Sequence, residues 1–537
     1  MLCSPFAYWY SALFFQDDIK VTRKLTVNVG LPYELQTPPT ERYDRLSWGF
    51  DPNAVLPVKA PGYDLKGGLI FANSNGYGRR GGNIDGNNFG PRIGFAYSVT
   101  PKWVVRGGYG IFYADVLANL AGFNQVNATA LGSQPSFNSL TDMITTNDGG
   151  LTPATTLANP FPNGLTKPTG KSAGLLTGIG TSVSFVNADR KSPYVQQWQF
   201  SIQRQLGGNS VASVSYVGSH ALALLSSQLS LTGETFNWNQ QPDSLLVPGL
   251  PGTIKVNNPF YGIFPSTTTL GSSTTTTAGQ LAVRFPQFTS VSVYGMNGNN
   301  DLYHSLQGRF EKRISKGISL VANYTWSRNM FYDMNSIVNV RKYRTVASTD
   351  FPQLATIFGI VDLPVGRGRQ WASHTSRWID GVIGGWTVAG SFTAHSGDPL
   401  SVTQSLGRPT ATENPVYRTP IEERLGNHVN PATGIPTNPY FNTQVWQPLP
   451  NNYTLSKEPP LLNWLRGPAP IYQNVSIFKT FTIRENFRLE LRGLLNNFTN
   501  SPVFGNPATN MSTPASFGVI TTATGTRNVN FMAKLRF

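Results

Sequence analysis

Apolar and polar residues alternate with a period of two in short segments along the whole chain. Leu25, Val27, Val29, Leu31 and Tyr33 alternate with Thr26, Asn28 and Gly30. Trp198, Phe200 and Ile202 alternate with Gln197, Gln199, Ser201 and Gln203. Ile318, Leu320, Ala322, Tyr324 and Trp326 alternate with Ser319, Asn323, Thr325 and Ser327. Phe487, Leu489, Leu491 and Leu495 oppose Arg488, Glu490, Arg492 and Asn496. Successive side chains of a strand point to opposite faces, so each segment predicts a strand with one apolar and one polar face. The pattern predicts about thirteen strands of roughly ten residues. They cover 8–19, 25–34, 91–99, 103–113, 194–206, 210–220, 302–314, 318–328, 354–364, 385–395, 471–482, 486–497 and 528–537. In the last, Val529, Phe531, Ala533, Leu535 and Phe537 share one face; Asn530, Lys534 and Arg536 share the other, with Met532 an apolar exception. A strand with a greasy and a charged face fits a boundary between lipid and water.

A soluble sandwich would alternate in the same way, but the connections separate the two cases. Tight turns at Lys20–Lys24, Thr100–Lys102, Gly207–Asn209, Ser315–Gly317 and Arg484–Glu485 alternate with long polar stretches over 35–90, 115–193, 221–301, 329–353, 397–470 and 499–527. Residues 365–384 form the one longer connection on the short side. Outer-membrane barrels have this asymmetry, with short periplasmic turns and long extracellular loops. Within the long stretches, Ser266–Ala278 reads as low complexity and Asn73–Asn88 as a flexible loop tip. An odd strand count departs from the even number of single-chain bacterial barrels. Counted back from a last strand that ends on the short-turn side, the first strand starts on the long-loop side. The expectation is an N-terminally truncated barrel, with the first and last strands as its edges.

Composition agrees. Charged residues make up 13% of the chain, against about 25% in ordinary soluble domains. Mean hydropathy is −0.20, and no apolar run approaches the roughly 18 residues of a membrane helix. Barrel strands are half polar and escape such a scan. The formal charge is +15. No basic run, zinc-ligand set or RNA-binding aromatic motif accompanies it, so nucleic acid is not expected as a partner. A basic loop surface facing anionic lipopolysaccharide or an anionic ligand fits better. Cys3 is the only cysteine, which leaves no disulfide framework. Met1–Pro5 lacks the basic and apolar regions of a secretory signal.

Candidate chemistry is sparse. Asp17 and Asp18 are adjacent strand residues pointing to opposite faces, so they cannot share a proton as a dyad. His220, His304, His374, His395 and His428 lie at no metal-ligand spacing from one another or from Cys3. Gly107-Gly108-Tyr109-Gly110 lacks the Lys-Ser/Thr of a phosphate loop, and its small residues are expected to relieve crowding in a wall. Trp103, Trp198, Trp326 and Trp386 fall in or at the ends of strands, where interfacial girdles place aromatics. Arg106, Gln197, Gln199, Arg309, Glu311, Arg488, Glu490 and Arg492 are expected to line a wet lumen. They offer no catalytic geometry. The expectation is no enzyme, no cofactor and no metal.

Several segments resemble a known family. Phe14-Phe15-Gln16-Asp17-Asp18-Ile19-Lys20-Val21-Thr22-Arg23-Lys24-Leu25-Thr26-Val27-Asn28-Val29-Gly30-Leu31 resembles a hairpin of TonB-dependent outer-membrane transporters. Pro38–Arg42, Phe50-Asp51-Pro52 and Phe89–Tyr97 resemble the Oar-like branch, and Arg488–Asn500 the family's penultimate strand. Pro32 departs from the family's usual Arg and predicts a bulge, since Pro cannot donate a ladder bond. The terminal Phe537, with Val529, Phe531, Ala533 and Leu535, resembles the signal read by the barrel assembly machinery.

The resemblance implies a transmembrane antiparallel β-barrel of meander topology, all-β, in the outer membrane. The chain would be the C-terminal part, 1–537, of a wall of ~22 strands, without the family's plug and without its carboxypeptidase-regulatory-like domain. It implies outer-membrane lipid, an unknown ligand held by the long loops, and TonB, ExbB and ExbD acting through the plug. A passive porin or adhesin barrel is the alternative, followed by a secreted β-rich carbohydrate-binding protein. The chain alone supplies loops and wall but no moving part, so no transport by it alone is expected.

Overall fold

The computed structural model describes residues 6–42, 44, 47–114, 171–207, 209–225, 236–239, 254–315, 317–336, 341–404, 410–411, 439–449, 458–484 and 487–537. Thirteen wall strands follow one another in a single antiparallel path. They are β1 (Tyr10–Lys20), β2 (Leu25–Gln36), β3 (Arg92–Thr100), β4 (Trp103–Tyr113), β5 (Tyr194–Leu206), β6 (Ser210–Leu225) and β7 (Asn297–Ser315), then β8 (Ile318–Ser336), β9 (Gln353–Asp362), β10 (Trp386–His395), β11 (Ile471–Arg484), β12 (Phe487–Asn496) and β13 (Asn528–Arg536). Each predicted segment is a strand. Several run further than alternation indicated: β8 reaches Ser336 and pairs there with a fourteenth strand, Arg341–Val346. β1 and β13 are exposed along their whole length.

The register is regular where the turns are tight. Trp198 sits opposite Tyr109 on one side and Gly218 on the other. A Cβ on Gly218 would lie 2.4 Å from the Trp198 indole, so the glycine makes the slot that the ring fills. Gly107 does the same for the ring of Phe95, as expected of that glycine-rich run. The bulge expected at Pro32 is absent: Phe14 and Pro32 pair without a shift. The ladder from β2 to β3 instead stops at Gly30 and is replaced by a bridge between Tyr33 and Phe89.

The sheet contributes little to the hydrophobic core. The three buried apolar clusters lie in the long connections. One joins Phe50, Leu69 and Phe71 to Phe185, Phe285, Phe288, Val291 and Val293. A second joins Leu56 and Leu65 to Ile179, Phe260, Phe264 and Leu270. The third joins Leu400 and Val402 to Phe441, Trp446, Leu462, Leu465 and Phe517. The connections therefore form packed bodies. One expectation is corrected here. Asn73–Asn88 is not a loose tip, because Asp85 and Asn88 are buried and bonded to Ser192. The low-complexity stretch Ser266–Ala278 does lie in a long connection, where Thr268 and Thr277 cap two short helices, at Thr269–Ser272 and Ala278–Ala282. One parallel pair, Ser182–Val186 with Ser290–Tyr294, departs from the antiparallel wall and lies within the loop layer.

Candidate functional site

Antiparallel partners share a face, so the register carries the two faces from strand to strand. Gln197 and Gln199 of β5 lie opposite Ser219 and Val217 of β6, and opposite Gly110 and Gly108 of β4. That face passes through Arg106 in β4 and through Arg309 and Glu311 in β7. It continues through Asn323 in β8, Thr356 in β9, Thr393 in β10 and Asn474 in β11. It reaches Arg488, Glu490 and Arg492 in β12, and Lys534 and Arg536 in β13. All eight residues expected at a lumen thus share one continuous face. The opposite face carries Trp198, Phe200, Leu320, Tyr324, Leu489 and Leu491. Val529, Phe531, Ala533 and Leu535 lie on that apolar face, and Phe537 follows β13 with 95% of its surface exposed.

On the polar face several groups pair with one another. Arg106 donates from Nη1 to Gln203 Oε1 at 2.7 Å. Glu311 accepts from Arg309 at 3.0 Å and from Arg313 at 3.3 Å. Glu490 accepts from Arg492 at 3.0 Å, and the Arg492 guanidinium lies 4.6 Å from the Phe478 ring centroid. Asn323 donates to Thr356 Oγ1 at 3.1 Å. Asn28 donates to Asp18, whereas Asp17 pairs with Val29 on the other face, which confirms that the two carboxylates are apart. Between β1 and β7 this face encloses a groove of about 800 Å³, with Gln16, Asn28, Arg92, Arg106, Gln197 and Gln199 on its wall. Phe95, Tyr109 and Trp198, of the opposite face, border the same groove.

Above the long-connection end, the loop layer is tied down by buried charge. Asp350 is 1% exposed. It accepts from Arg466, from Arg328 at 3.4 Å and from the Asn329 N–H at 2.6 Å. Thr345 Oγ1 exchanges hydrogen bonds with Leu461 over the same junction. Arg190, beneath the other loop body, donates to Gly81 O at 3.1 Å and Asn187 O at 3.2 Å. Burial pushes its guanidinium down to about 10, so it remains charged at neutral pH. A cleft of about 540 Å³ opens in this layer beside Trp48, Arg79 and Arg80. Trp48 packs on Tyr77 at 4.7 Å, and Arg79 is paired with Asp44. Asp44 thus meets the charge of Arg79, and the Trp48 indole and Arg80 line the opening with it.

The remaining sequence candidates disperse. His304 lies on the apolar face, bonded through Nδ1 to Tyr216 Oη at 2.7 Å. His395 packs on Phe351 at 4.4 Å. His428 lies outside the described residues. No group of three or more His, Cys, Asp or Glu gathers among the described residues. Trp103, Trp326 and Trp386 all fall on the apolar face with Trp198. Sequence reasoning missed the Asp350 junction and the Trp48 cleft. The only available signals were Trp and Phe residues scattered inside otherwise polar connections.

No helix among the described residues is long and apolar enough to cross a membrane, which says nothing of a wall built from strands. A family profile described as the outer membrane beta barrel domain matches residues 4–530. The chain belongs to that family. It is thus an outer-membrane β-barrel chain, and its antiparallel meander is the barrel wall. No curated protein matches it.

Among solved structures, the barrel is similar to the ferripyoverdine receptor of Pseudomonas aeruginosa (10% identity, TM-score 0.39, 99% of this chain and 39% of that one). It is also similar to the ferric-catecholate import receptor of E. coli K12 (8% identity, TM-score 0.39, 99% and 45%). A third is the ferric preacinetobactin receptor of Acinetobacter baumannii (10% identity, TM-score 0.39, 99% and 43%). The chain spans less than half the length of each.

Proposed function

We propose that the chain is the wall and loop layer of a TonB-dependent uptake receptor of the Oar-like branch. The apolar face meets lipid and the polar face lines a lumen that holds a plug. One observation carries this reading: a polar face continuous across thirteen strands, roofed at its long-loop end by packed bodies. Apolar side chains that stay exposed on one face of a sheet are stable against lipid tails. A wall lined with self-paired Arg and Glu can hold a plug by exchanging those partners for hydrogen bonds across the lumen. The opening hairpin, with its Gln16-Asp17-Asp18 run, supports the family assignment. The loop cleft at Trp48, Arg79 and Arg80 supports capture of an anionic ligand.

The test uses the full gene product in detergent. Immobilised TonB periplasmic domain should retain it, and vesicles carrying it should not swell in isotonic raffinose. Failure to bind TonB together with raffinose-dependent swelling assigns the chain to the porin class and overturns the proposal.

A further inference from the structure

One connection on the short-turn side breaks the pattern. Between β9 and β10, where the other turns span a few residues, 363–385 folds into a closed loop and a short helix, Arg377–Ile383. Ser376 caps the helix, its side chain accepting from the Ile379 N–H. Asp380 pins the loop by accepting from the Arg367 N–H at 2.6 Å. The loop closes on itself through Gly366 N–H to Trp371 O and Trp371 N–H to Pro364 O, both at 2.9 Å.

The helix leans on the apolar face. Lys479 of β11 and Trp386 of β10 pair on that face. The Trp386 indole N–H donates to Val382 O at 2.7 Å. Lys479 Nζ donates to Gly381 O at 2.5 Å and Asp380 O at 3.3 Å. Lys479 is only 7% exposed, and its ammonium lies 4.9 Å from the Phe481 ring centroid. The last carbonyls of a helix lack partners within it and carry partial negative charge. Here the Gly381 carbonyl, with the Asp380 carbonyl that also accepts from the Gly384 N–H, satisfies a cation that would otherwise sit on the lipid side of the wall. The outer side of the same helix is apolar and open: Trp378 is 89% exposed and Val382 70%. The connection carries Arg367, Arg369 and Arg377 against Asp380 as its one carboxylate.

We infer that 363–385 is a membrane-interface anchor. The helix covers Lys479, continues the apolar face beyond the strand ends, and seats Trp378 and Val382 in the phospholipid leaflet at the short-turn rim. This rests on the apolar face meeting lipid, as proposed above. Continuity with that face and the arginine surplus identify the occupant as phospholipid: indole rings prefer the headgroup level, and guanidinium groups pair with phosphates.

The sole cysteine makes the test direct. In a Cys3→Ser background, Trp378→Cys, Val382→Cys, Gln370→Cys and the mid-wall Tyr324→Cys are each labelled with an environment-sensitive fluorophore. The full chain is folded into phosphatidylethanolamine–phosphatidylglycerol vesicles. Labels at 378 and 382 should be quenched severalfold more by nitroxide-bearing lipid than by aqueous iodide, as at 324, with the reverse at 370. Iodide quenching at 378 and 382 while 324 reports lipid overturns the anchor alone. Protection there from both quenchers also overturns it, because a protein then covers the patch. A water-accessible label at 324 overturns the face assignment beneath it.

Discussion

The wall and the loop layer handle apolar surface in opposite ways. In the wall, Phe200, Tyr324, Trp326 and Phe531 stand 46%, 47%, 61% and 87% exposed. In the loop layer, Phe260, Phe285, Phe288 and Phe441 are at most 1% exposed. Both regions belong to one chain and draw on the same residue types. The wall leaves its rings for lipid to cover; the connections bury theirs against each other as a water-soluble domain does. Connections this long would ordinarily suggest disorder, yet their clusters give them cores of their own. Among the described residues, the long connections are thus parts of packed outer bodies.

The largest expected effect breaks the wall's assembly. In the full gene product, deleting Phe537 or making Phe537→Lys should sharply lower the outer-membrane level, whereas Phe537→Tyr keeps the ring and should be mild. Protease accessibility of the outer loops in intact cells reads the level. Unchanged display of the deletion variant would count against an assembly role for the terminal aromatic.

Next comes the loop core. Phe288→Ala should cost about 3–5 kcal/mol locally, because a fully enclosed ring leaves a cavity. The loop layer should become protease-sensitive while the wall keeps its heat-resistant mobility on gels. Loss of both together would mean that the two regions fold as one unit. Phe200→Ala in the wall should cost no more than about 1.5–3 kcal/mol, since lipid tails refill the space.

Charge sharpens the contrast between the faces. Tyr324→Arg should destabilise the wall by roughly 2–4 kcal/mol in urea titrations from vesicles, whereas Asn323→Arg next to it should be tolerated. Equal costs at the two positions would refute the face assignment. A smaller effect is expected at the Trp198 slot. Gly218→Ala should cost about 1–3 kcal/mol by displacing the indole, with a shift in tryptophan emission. An unchanged emission spectrum would show that the slot is not filled in the membrane.

Much of the wall is legible in the sequence. Strand alternation is a local property of the backbone, so it located all thirteen strands and put Gln199 and Phe200, or Glu490 and Leu491, on opposite faces. Register then followed from tight turns such as Gly207–Asn209, which leave little freedom for slippage. The loop layer was not legible, because its contacts join segments distant in the chain. Gln287 Nε2 donates to Lys66 O at 2.7 Å, and Asp350 meets Arg466. The parallel pairing of Ser182–Val186 with Ser290–Tyr294 is of the same kind. Nothing in either segment announces its partner. The helix over Lys479 is intermediate: the Ser376 cap was readable, but only the tertiary structure brought its last carbonyls to a cation in another strand. The sequence by itself thus determined where strands run and which side of each is greasy, because both depend on neighbours one or two residues away. The folded chain alone decided which connections pack together and where a buried charge finds its partner, because those depend on surfaces meeting in space.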